Sequence, residues 1–288
     1  MLSNFILMRL KNIREALEGK LTPEELKFVR AFDIVGDIAI IKLPEQLLPK
    51  KQLIGQALLD VHRNLRTVLL QVGPVSGDFR TRDLEIIAGE EKTETIHRES
   101  GCIFKADLSS VYFSPRLAYE RMRIASLVKP GEVVANLFAG VGCYSIVIAK
   151  HSQAALIYSI DINPAAFNYA RENIRLNKVG DKVIPLLGDA REIVERELRG
   201  AADRVLMPLP ERARDFLDTA FLALKPKGGV IHFYDIGQEP DVFGPSFEFV
   251  KKVAAEKNFV VELLQSRKIR SYAPKCYHIA LDFAASPA

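Results

Sequence analysis

Tryptophan is absent from this 288-residue chain, and cysteine occurs only three times. Cys102, Cys143 and Cys276 lie far apart with no Cys-x-x-Cys pair, which argues against both a disulfide framework and a zinc site. No apolar run approaches the ~18 residues that a membrane span needs. The opening Met1-Leu-Ser-Asn-Phe-Ile-Leu-Met8 has no basic residue ahead of its short apolar stretch and no small-residue cleavage site, so it is not read as a signal peptide. The expected address is the cytoplasm. Charge of one sign is also scarce: 40 basic side chains face 36 acidic ones, a net +4. What is abundant is ordinary core material, 48% hydrophobic residues, enough for roughly two domains at ~150 residues each.

From residue 130 onward apolar runs alternate with helical spacing. Runs at 133–138, 155–160, 183–187, 204–209, 229–234, 259–264 and 277–283 read as strands. Helical patterns fill 143–150, 164–177, 191–198, 211–225 and 245–257. Asn163 before Pro164 is a cap followed by proline at the first helical position. This alternation predicts an α/β fold, a Rossmann-like sheet of seven mostly parallel strands whose last two are joined without a helix. The first 110 residues read as a smaller α+β domain. It has helices at about 9–19 and 51–64 and strands at 38–43, 66–72, 84–87, 94–98 and 102–107. The expected domains are therefore 1–110 and 111–288. Residues 112–128 form the joining segment, with Ser114-Pro115 opening a helix.

The turn Asn136-Leu-Phe-Ala-Gly-Val-Gly142 follows the first of the seven strands and opens a helix. Its glycines let backbone come close to a ligand, and the helix N-terminus favours negative charge. The third glycine of the dinucleotide fingerprint is missing. Asp161 ends the second strand, where a carboxylate can hold a ribose diol. Gly188-Asp189 ends the third, where an acid commonly faces an adenine. A cofactor without a pyrophosphate has less use for a third glycine, so the pattern favours S-adenosylmethionine over NAD. The predicted cofactor residues are Phe138, Ala139, Gly140, Gly142, Asp161, Ile162, Asp189 and Ala190.

Residues 1–115 hold 16 basic and 16 acidic side chains, so the excess charge lies beyond them. There Arg267, Lys268, Arg270 and Lys275 share one stretch without an acid. That stretch is either a solvated strand and loop or a stripe suited to a phosphate backbone.

Many short motifs in one order give the chain a specific resemblance. They are Gly77-Asp-Phe-Arg-Thr-Arg-Asp-Leu-Glu85, Ala88-Gly-Glu90, His97-Arg-Glu-Ser-Gly-Cys102, Val111-Tyr-Phe-Ser-Pro-Arg116 and Tyr119-Glu-Arg121. Leu137-Phe-Ala-Gly-Val-Gly142, Asp161-Ile-Asn-Pro164, Leu209-Pro210 and Ser271-Tyr-Ala-Pro274 complete the set. The sequence resembles the archaeal-eukaryotic tRNA guanine-37 N1-methyltransferases, class I methyltransferases related to transferases of the wyosine pathway. The resemblance implies tRNA as partner, engaged at guanine 37 of the anticodon loop; a monomer is expected, and the positive sulfonium of the cofactor leaves no need for a metal. Guanine N1 carries a proton at neutral pH, so methylation requires a base to remove it and a cation to answer charge on O6. The resemblance places the base at Glu120, its pKa expected to be raised by burial, and the cation at Arg80. It adds Tyr112 as a stacking face for the base, together with Arg116, and Pro208 and Pro210 as rigid backbone of the pocket floor. From spacing alone, Glu120 is equally a helix-surface acid paired with Arg116 or Arg123.

Two positions depart from the family pattern. Asn136 stands where an aspartate usually begins the glycine loop, and Pro208 replaces the asparagine of an Asn-Leu-Pro motif. These leave room for a wyosine-type reaction, either methylation of a tricyclic guanine derivative or transfer of the aminocarboxypropyl arm of the same cofactor. They also leave room for a non-catalytic binder of tRNA and cofactor. A methyltransferase for small molecules is the remaining alternative. His97, His232 and His278 have no second ligand near them in sequence and read as packed histidines.

Overall fold

The computed structural model describes residues 12–29, 31–73, 77 and 81–288. The chain divides into two compact units, 1–98 with 105–116 and 99–104 with 117–288. The chain crosses between these units after residues 98, 104 and 116, where the sequence reading expects a single boundary at 110.

In the first unit, α1 (Ile13–Leu17) is capped by Asn12, whose side chain accepts from the N–H groups of Arg14 and Glu15. Before α2 (Glu25–Phe28), Thr22 and Glu25 form a reciprocal capping box at 2.8 and 3.2 Å. β1 (Phe32–Val35) and β2 (Ile38–Ile41) form a tight hairpin about Gly36-Asp37. α3 (Lys51–Val61) then carries the chain to β3 (Thr67–Gln71), parallel to β2, and β4 (Leu84–Gly89) completes a four-stranded sheet in sequence order. Leu17, Ile41, Ile54, Leu58 and Val68 are fully buried between helices and sheet. β5 (Glu94–Glu99) and β6 (Cys102–Asp107) form a separate two-stranded ribbon.

A 3-10 turn, Pro115–Leu117, ends the first unit's last segment and leads into α4 (Ala118–Leu127) of the second. The alternation predicted from sequence then unfolds: β7 (Val133–Asn136), α5 (Cys143–His151), β8 (Leu156–Asp161), α6 (Pro164–Asn177) and β9 (Val183–Leu187). It continues through α7 (Ala190–Ile193), β10 (Arg204–Met207), α8 (Leu217–Ala223), β11 (Gly229–Gln238), α9 (Gly244–Glu256), β12 (Phe259–Ala273) and β13 (Cys276–Pro287). Asn163 caps α6, accepting from the Ala165 N–H at 2.9 Å with Pro164 next in line.

The seven strands lie in the order β12-β13-β11-β10-β7-β8-β9. β7 to β11 run parallel, and β12 and β13 form an antiparallel edge. Alternation along β11 sends Phe233 into the core with Phe221, Val250, Leu281 and Phe283. It sends His232 and Tyr234, also buried, to the opposite face. No helix among the described residues is long and apolar enough to cross a membrane.

Three of the elements that differ from the sequence expectation have a clear local cause. β1 was not anticipated, because four residues before a two-residue turn give too short an alternation to read. β11 runs to Gln238 and β12 to Ala273, well past their apolar runs, because β13 supplies hydrogen-bonding partners out to Cys276. Register shifts after Leu263, Lys268 and Ser271 break the period-two pattern of β12.

Candidate active site

The carboxyl ends of the parallel strands gather one set of predicted residues. Asn136, fully buried, donates its side-chain N–H to Ser145 Oγ at 3.1 Å and accepts the Phe138 N–H at 3.4 Å, folding the loop back on itself. The Ala139 N–H reaches Ile160 O at 2.8 Å. Gly140 and Gly142 sit at φ 56° and 87°, the left-handed region that favours glycine. Asn173 on α6 donates to Val141 O at 3.0 Å and braces the loop from behind. An amide at 136 therefore does the bracketing work of the loop without a charge.

Asp161 receives the Gly140 N–H on Oδ2 at 2.6 Å and the Asn163 N–H on Oδ1 at 2.9 Å. Burial pushes its carboxyl up, while these two amides pull it back. A carboxylate has about four acceptor directions, so two remain for donors such as a ribose diol. Beside it Ile162 and, paired across from Asp161 on β9, Leu187 are 45% and 46% exposed. They are large apolar surfaces at a polar strand end, as a flat heterocycle needs. Asp189 caps α7 by accepting the Arg191 N–H at 2.7 Å, with Ala190 buried behind it. The Arg191 guanidinium lies over the Phe216 ring at 3.9 Å, and Phe138 meets the same ring edge-on at 4.9 Å. These residues fit adenosine and its ribose, and the structure brings all eight predicted cofactor residues to one edge of one sheet.

Glu120 is 4% exposed in the first turn of α4. Arg123 clamps it, Nε to Oε2 at 2.8 Å and Nη2 to Oε1 at 2.6 Å, and the Tyr234 hydroxyl donates to Oε1 at 2.7 Å. The Tyr144 hydroxyl, from the first turn of α5, donates to Tyr234 at 3.4 Å. A line of polar atoms thus joins Glu120 to the helix that opens at Gly142. Burial holds both phenols above their ordinary pKa. Arg123 also grips Asp282 through Nη1 and, at 3.3 Å, through Nη2. Asp282 accepts from His232 Nδ1 at 2.6 Å, and His232 Nε2 meets Arg204 Nη1 at 2.7 Å. Arg204 ends the chain on Glu132, at 2.7 and 3.1 Å, and on Leu127 O at 2.8 Å. The expected burial of Glu120 is present, and its ion partner is Arg123 rather than Arg116.

Of the remaining predicted residues, Arg80 lies outside the described residues. Tyr112 and Arg116 belong to the first unit. There the Arg82 guanidinium lies 5.4 Å from the Tyr112 ring centre, and Arg116 pairs with Asp33 at 2.5 Å. Pro208 is half-buried and Pro210 buried. They flank a tight turn in which the Leu209 N–H meets Met207 O at 2.8 Å and Leu209 O accepts from Arg212 and Ala213. Cys143 is a buried core residue whose thiol burial pushes up to about 12.

The basic stretch stands on the same sheet edge. β10 ends opposite Phe233, while residues 234–238 of β11, 276–280 of β13 and 267–273 of β12 continue past it as a three-stranded extension. Arg267 lies 5.7 Å from the ring of Tyr119, which is 73% exposed and precedes Glu120. Lys268 sits 3.7 Å from the Tyr277 ring, and Tyr272 stacks on His278 at 4.8 Å. Glu239, an acid beside this patch, is held by Tyr277 at 2.9 Å and Lys268 at 3.7 Å.

Sequence reasoning did not find Tyr234, Asp282 or the Tyr119–Arg267 contact. The available signal was His232 and Tyr234 two apart on an apolar strand, polar groups on one face that had to be satisfied.

Comparison with known proteins gives the family. Residues 95–263 match the TRM5/TYW2 methyltransferase domain, and 13–93 match the TYW2 N-terminal domain. The Pyrococcus abyssi tRNA (guanine(37)-N(1))-methyltransferase Trm5b is 47% identical over 92% of this chain and 78% of its own; its crystal structure superposes with a TM-score of 0.83. A Methanocaldococcus jannaschii tRNA(Phe) (4-demethylwyosine(37)-C(7)) aminocarboxypropyltransferase is 36% identical over 86% of this chain and 95% of its own. M. jannaschii TYW2 in complex with AdoMet is 31% identical, with a TM-score of 0.71 over 90% of this chain and all of that one. The complex of aTrm5 and tRNALeu is 37% identical, with a TM-score of 0.83 over 95% of this chain and 78% of that one. With most of its length matched, the chain belongs to the TRM5/TYW2 methyltransferase family of class I, S-adenosylmethionine-dependent enzymes.

Proposed function

We propose that the protein transfers a methyl group from S-adenosylmethionine to N1 of guanine at position 37 of tRNA. The observation that carries this reading is the line Glu120–Tyr234–Tyr144, which ties a buried carboxylate to the helix opening at the cofactor loop. The reaction named for the relative at 47% identity supports it. When bound, S-adenosylmethionine supplies an electrophilic methyl on a sulfonium. Glu120 does what the nucleobase requires: its Oε2, which accepts a single bond from Arg123, takes the N1 proton as the N1 lone pair turns to the methyl. Arg123 and Tyr234 hold the carboxylate in one rotamer, so that its orientation is set before substrate arrives. Arg80 answering charge on O6, and Tyr112 as a face for the base, remain roles drawn from the resemblance. The aromatic and cationic extension carrying Arg267, Lys268 and Arg270 suits an RNA strand, which offers phosphates to the cations and bases to the rings.

A second reading is favoured by two observations, the match of residues 13–93 to the TYW2 N-terminal domain and the proline at 208. In that reading the same site transfers the aminocarboxypropyl arm, or methylates a tricyclic base. Nucleoside mass spectrometry separates them. An unmodified guanine-37 transcript incubated with protein and S-adenosylmethionine is expected to yield N1-methylguanosine, and an adenine-37 transcript none. An aminocarboxypropyl adduct, or product only from a pre-modified tRNA, overturns the first reading.

A further inference from the structure

Two of the register shifts in β12 turn side chains towards the face of the sheet that meets Glu120. Directly opposed residues of antiparallel strands share a face. Opposite Tyr234, whose hydroxyl donates to Glu120, β13 places Ala280, and β12 places Arg267 opposite Ala280. The next row outward on that face is Ile236, His278 and Arg270. Arg267 and Arg270 are three residues apart, and without the shift between Lys268 and Arg270 they would point to opposite faces. The shift between Ser271 and Ala273 leaves Tyr272 out of the ladder. Its ring lies on the imidazole of His278, with centroids 4.8 Å apart and planes at 25°.

This stack is fixed from beneath. His278 is buried, and Arg270 Nε approaches its Nδ1 at 3.1 Å. A guanidinium only donates, so Nδ1 accepts and the ring proton stands on Nε2. That nitrogen faces Glu211, the residue after Pro210, at 3.7 Å. The imidazole is thus held between the bulged strand and the turn that carries Pro208 and Pro210. Tyr272 itself is 54% exposed. With one face of its ring on His278, the other looks outward. An aromatic face backed by a buried ring and open on its far side takes a further flat ring, and every nucleobase has a face to offer.

The surroundings suit an RNA strand. Residues 267–275 hold Arg267, Lys268, Arg270 and Lys275 and no acid. Lys275, after Pro274 at the tip of the hairpin, sits at φ 58°, a conformation that glycine adopts at less cost; a cation stands there instead. Successive rows on one face of a strand are ~7 Å apart. The His278 row is therefore one such step from Tyr234, and Tyr272 lies just beyond it. A strand whose target base reaches Glu120 brings its next base to this stack.

We propose that Tyr272, backed by His278, is the stacking platform for the nucleotide next to guanine 37 in the bound anticodon loop. The proposal rests on the reading of the protein as a guanine-37 methyltransferase. When an enzyme takes its target base out of the stack, the neighbouring base loses a stacking partner. The phenol of Tyr272 supplies a new one and so offsets part of the cost of extrusion.

The test is a binding cycle with guanine-37 transcripts, intact or abasic at position 36 or at position 38, read by filter binding. The base analogue 2-aminopurine at the same two positions reports stacking by its fluorescence. Tyr272→Ala is expected to raise the Kd of the intact transcript about tenfold, and Tyr272→Phe, which keeps the face, by no more than about twofold. One of the two abasic transcripts is expected to lose the same factor on the wild-type protein and to lose nothing further on Tyr272→Ala. At that position 2-aminopurine is expected to be quenched by the wild-type protein and not by Tyr272→Ala. Calorimetry with S-adenosylmethionine should give the wild-type Kd for both variants, which shows that the cofactor half is folded. An unchanged transcript Kd in Tyr272→Ala, or an equal loss on the intact and both abasic transcripts, overturns the platform. So does quenching by the wild-type protein at neither position, an arm that needs no variant to fold. Absence of N1-methylguanosine from the intact transcript overturns the methyl-transfer reading instead, while the binding cycle still decides the platform.

Discussion

Replacing Asp161 by alanine probes the cofactor reading directly. The carboxylate accepts two backbone N–H groups, from Gly140 and Asn163, and in the proposed site its remaining lone pairs serve a ribose. Hydrogen bonds to a charged group contribute ~1.5–3 kcal/mol each. Two lost ribose contacts at the lower figure give about 3 kcal/mol, or a rise of about 10²-fold in Kd for S-adenosylmethionine at 1.4 kcal/mol per tenfold. The loop amides rehydrate at this partly open strand end, so the loss of folding stability is smaller, about 2 kcal/mol. Asp161→Asn keeps the side-chain shape and one acceptor oxygen and should fall between, near tenfold. Isothermal calorimetry with S-adenosylmethionine measures both variants, and filter binding checks that tRNA affinity is largely unchanged. A cofactor Kd within threefold of wild type in Asp161→Ala would refute the ribose assignment.

Other outcomes follow from the same geometry. Glu120→Gln should bind cofactor and tRNA yet lose ~10²-fold or more in single-turnover methylation, measured by quench-flow; undiminished turnover removes Glu120 from the mechanism. Arg204→Met leaves Glu132, Leu127 O and His232 Nε2 without their donor and should cost about 3–5 kcal/mol in urea unfolding; a loss under about 1 kcal/mol contradicts a coupled chain. Asp282, held at about 2 against 3.8 for a free aspartate, contributes about 2 kcal/mol of stability above pH 3.8 that disappears as pH falls towards 2. His232, kept neutral in the fold, begins the loss earlier, as the unfolded imidazole protonates below about 6.5. Denaturant midpoints measured across this range should fall steadily, and a flat profile speaks against the buried charges. Arg267→Ala with Lys268→Ala should lower the slope of log tRNA affinity against log salt by about 1–2; an unchanged slope means the extension does not touch phosphate.

Much of the second unit was legible because buried parallel strands are continuous apolar runs, and loops with glycine, asparagine-proline and strand-end acids punctuate them. Asp161 and Asp189 could be placed from chain position alone, since a parallel strand delivers whatever ends it to one edge of the sheet. Glu120 was different. Its neighbours at three and four residues suggested a helix-surface pair, and only the resemblance singled it out. What the sequence concealed is which charges meet across distance. Arg123 and Asp282 are far apart in the chain, and β12 loses its alternation at each register shift. The long extension of β11, β12 and β13 was hidden for the same reason, since backbone pairing rather than apolar spacing sustains it.

The ribbon of β5 and β6 has a practical meaning for anyone cutting this chain. Its turn with the adjoining strand ends, residues 99–104, belongs to the second unit, where Glu99 pairs with the buried Arg121 at 2.5 and 2.6 Å. A fragment beginning at residue 111 therefore discards the carboxylate that Arg121, 3% exposed, holds through two of its nitrogens. It also strips Asn177 of its two bonds to the backbone of Ile103. Expressed alone, the cofactor-binding half must begin no later than Glu99, and so must carry half of a hairpin whose other strand it leaves behind.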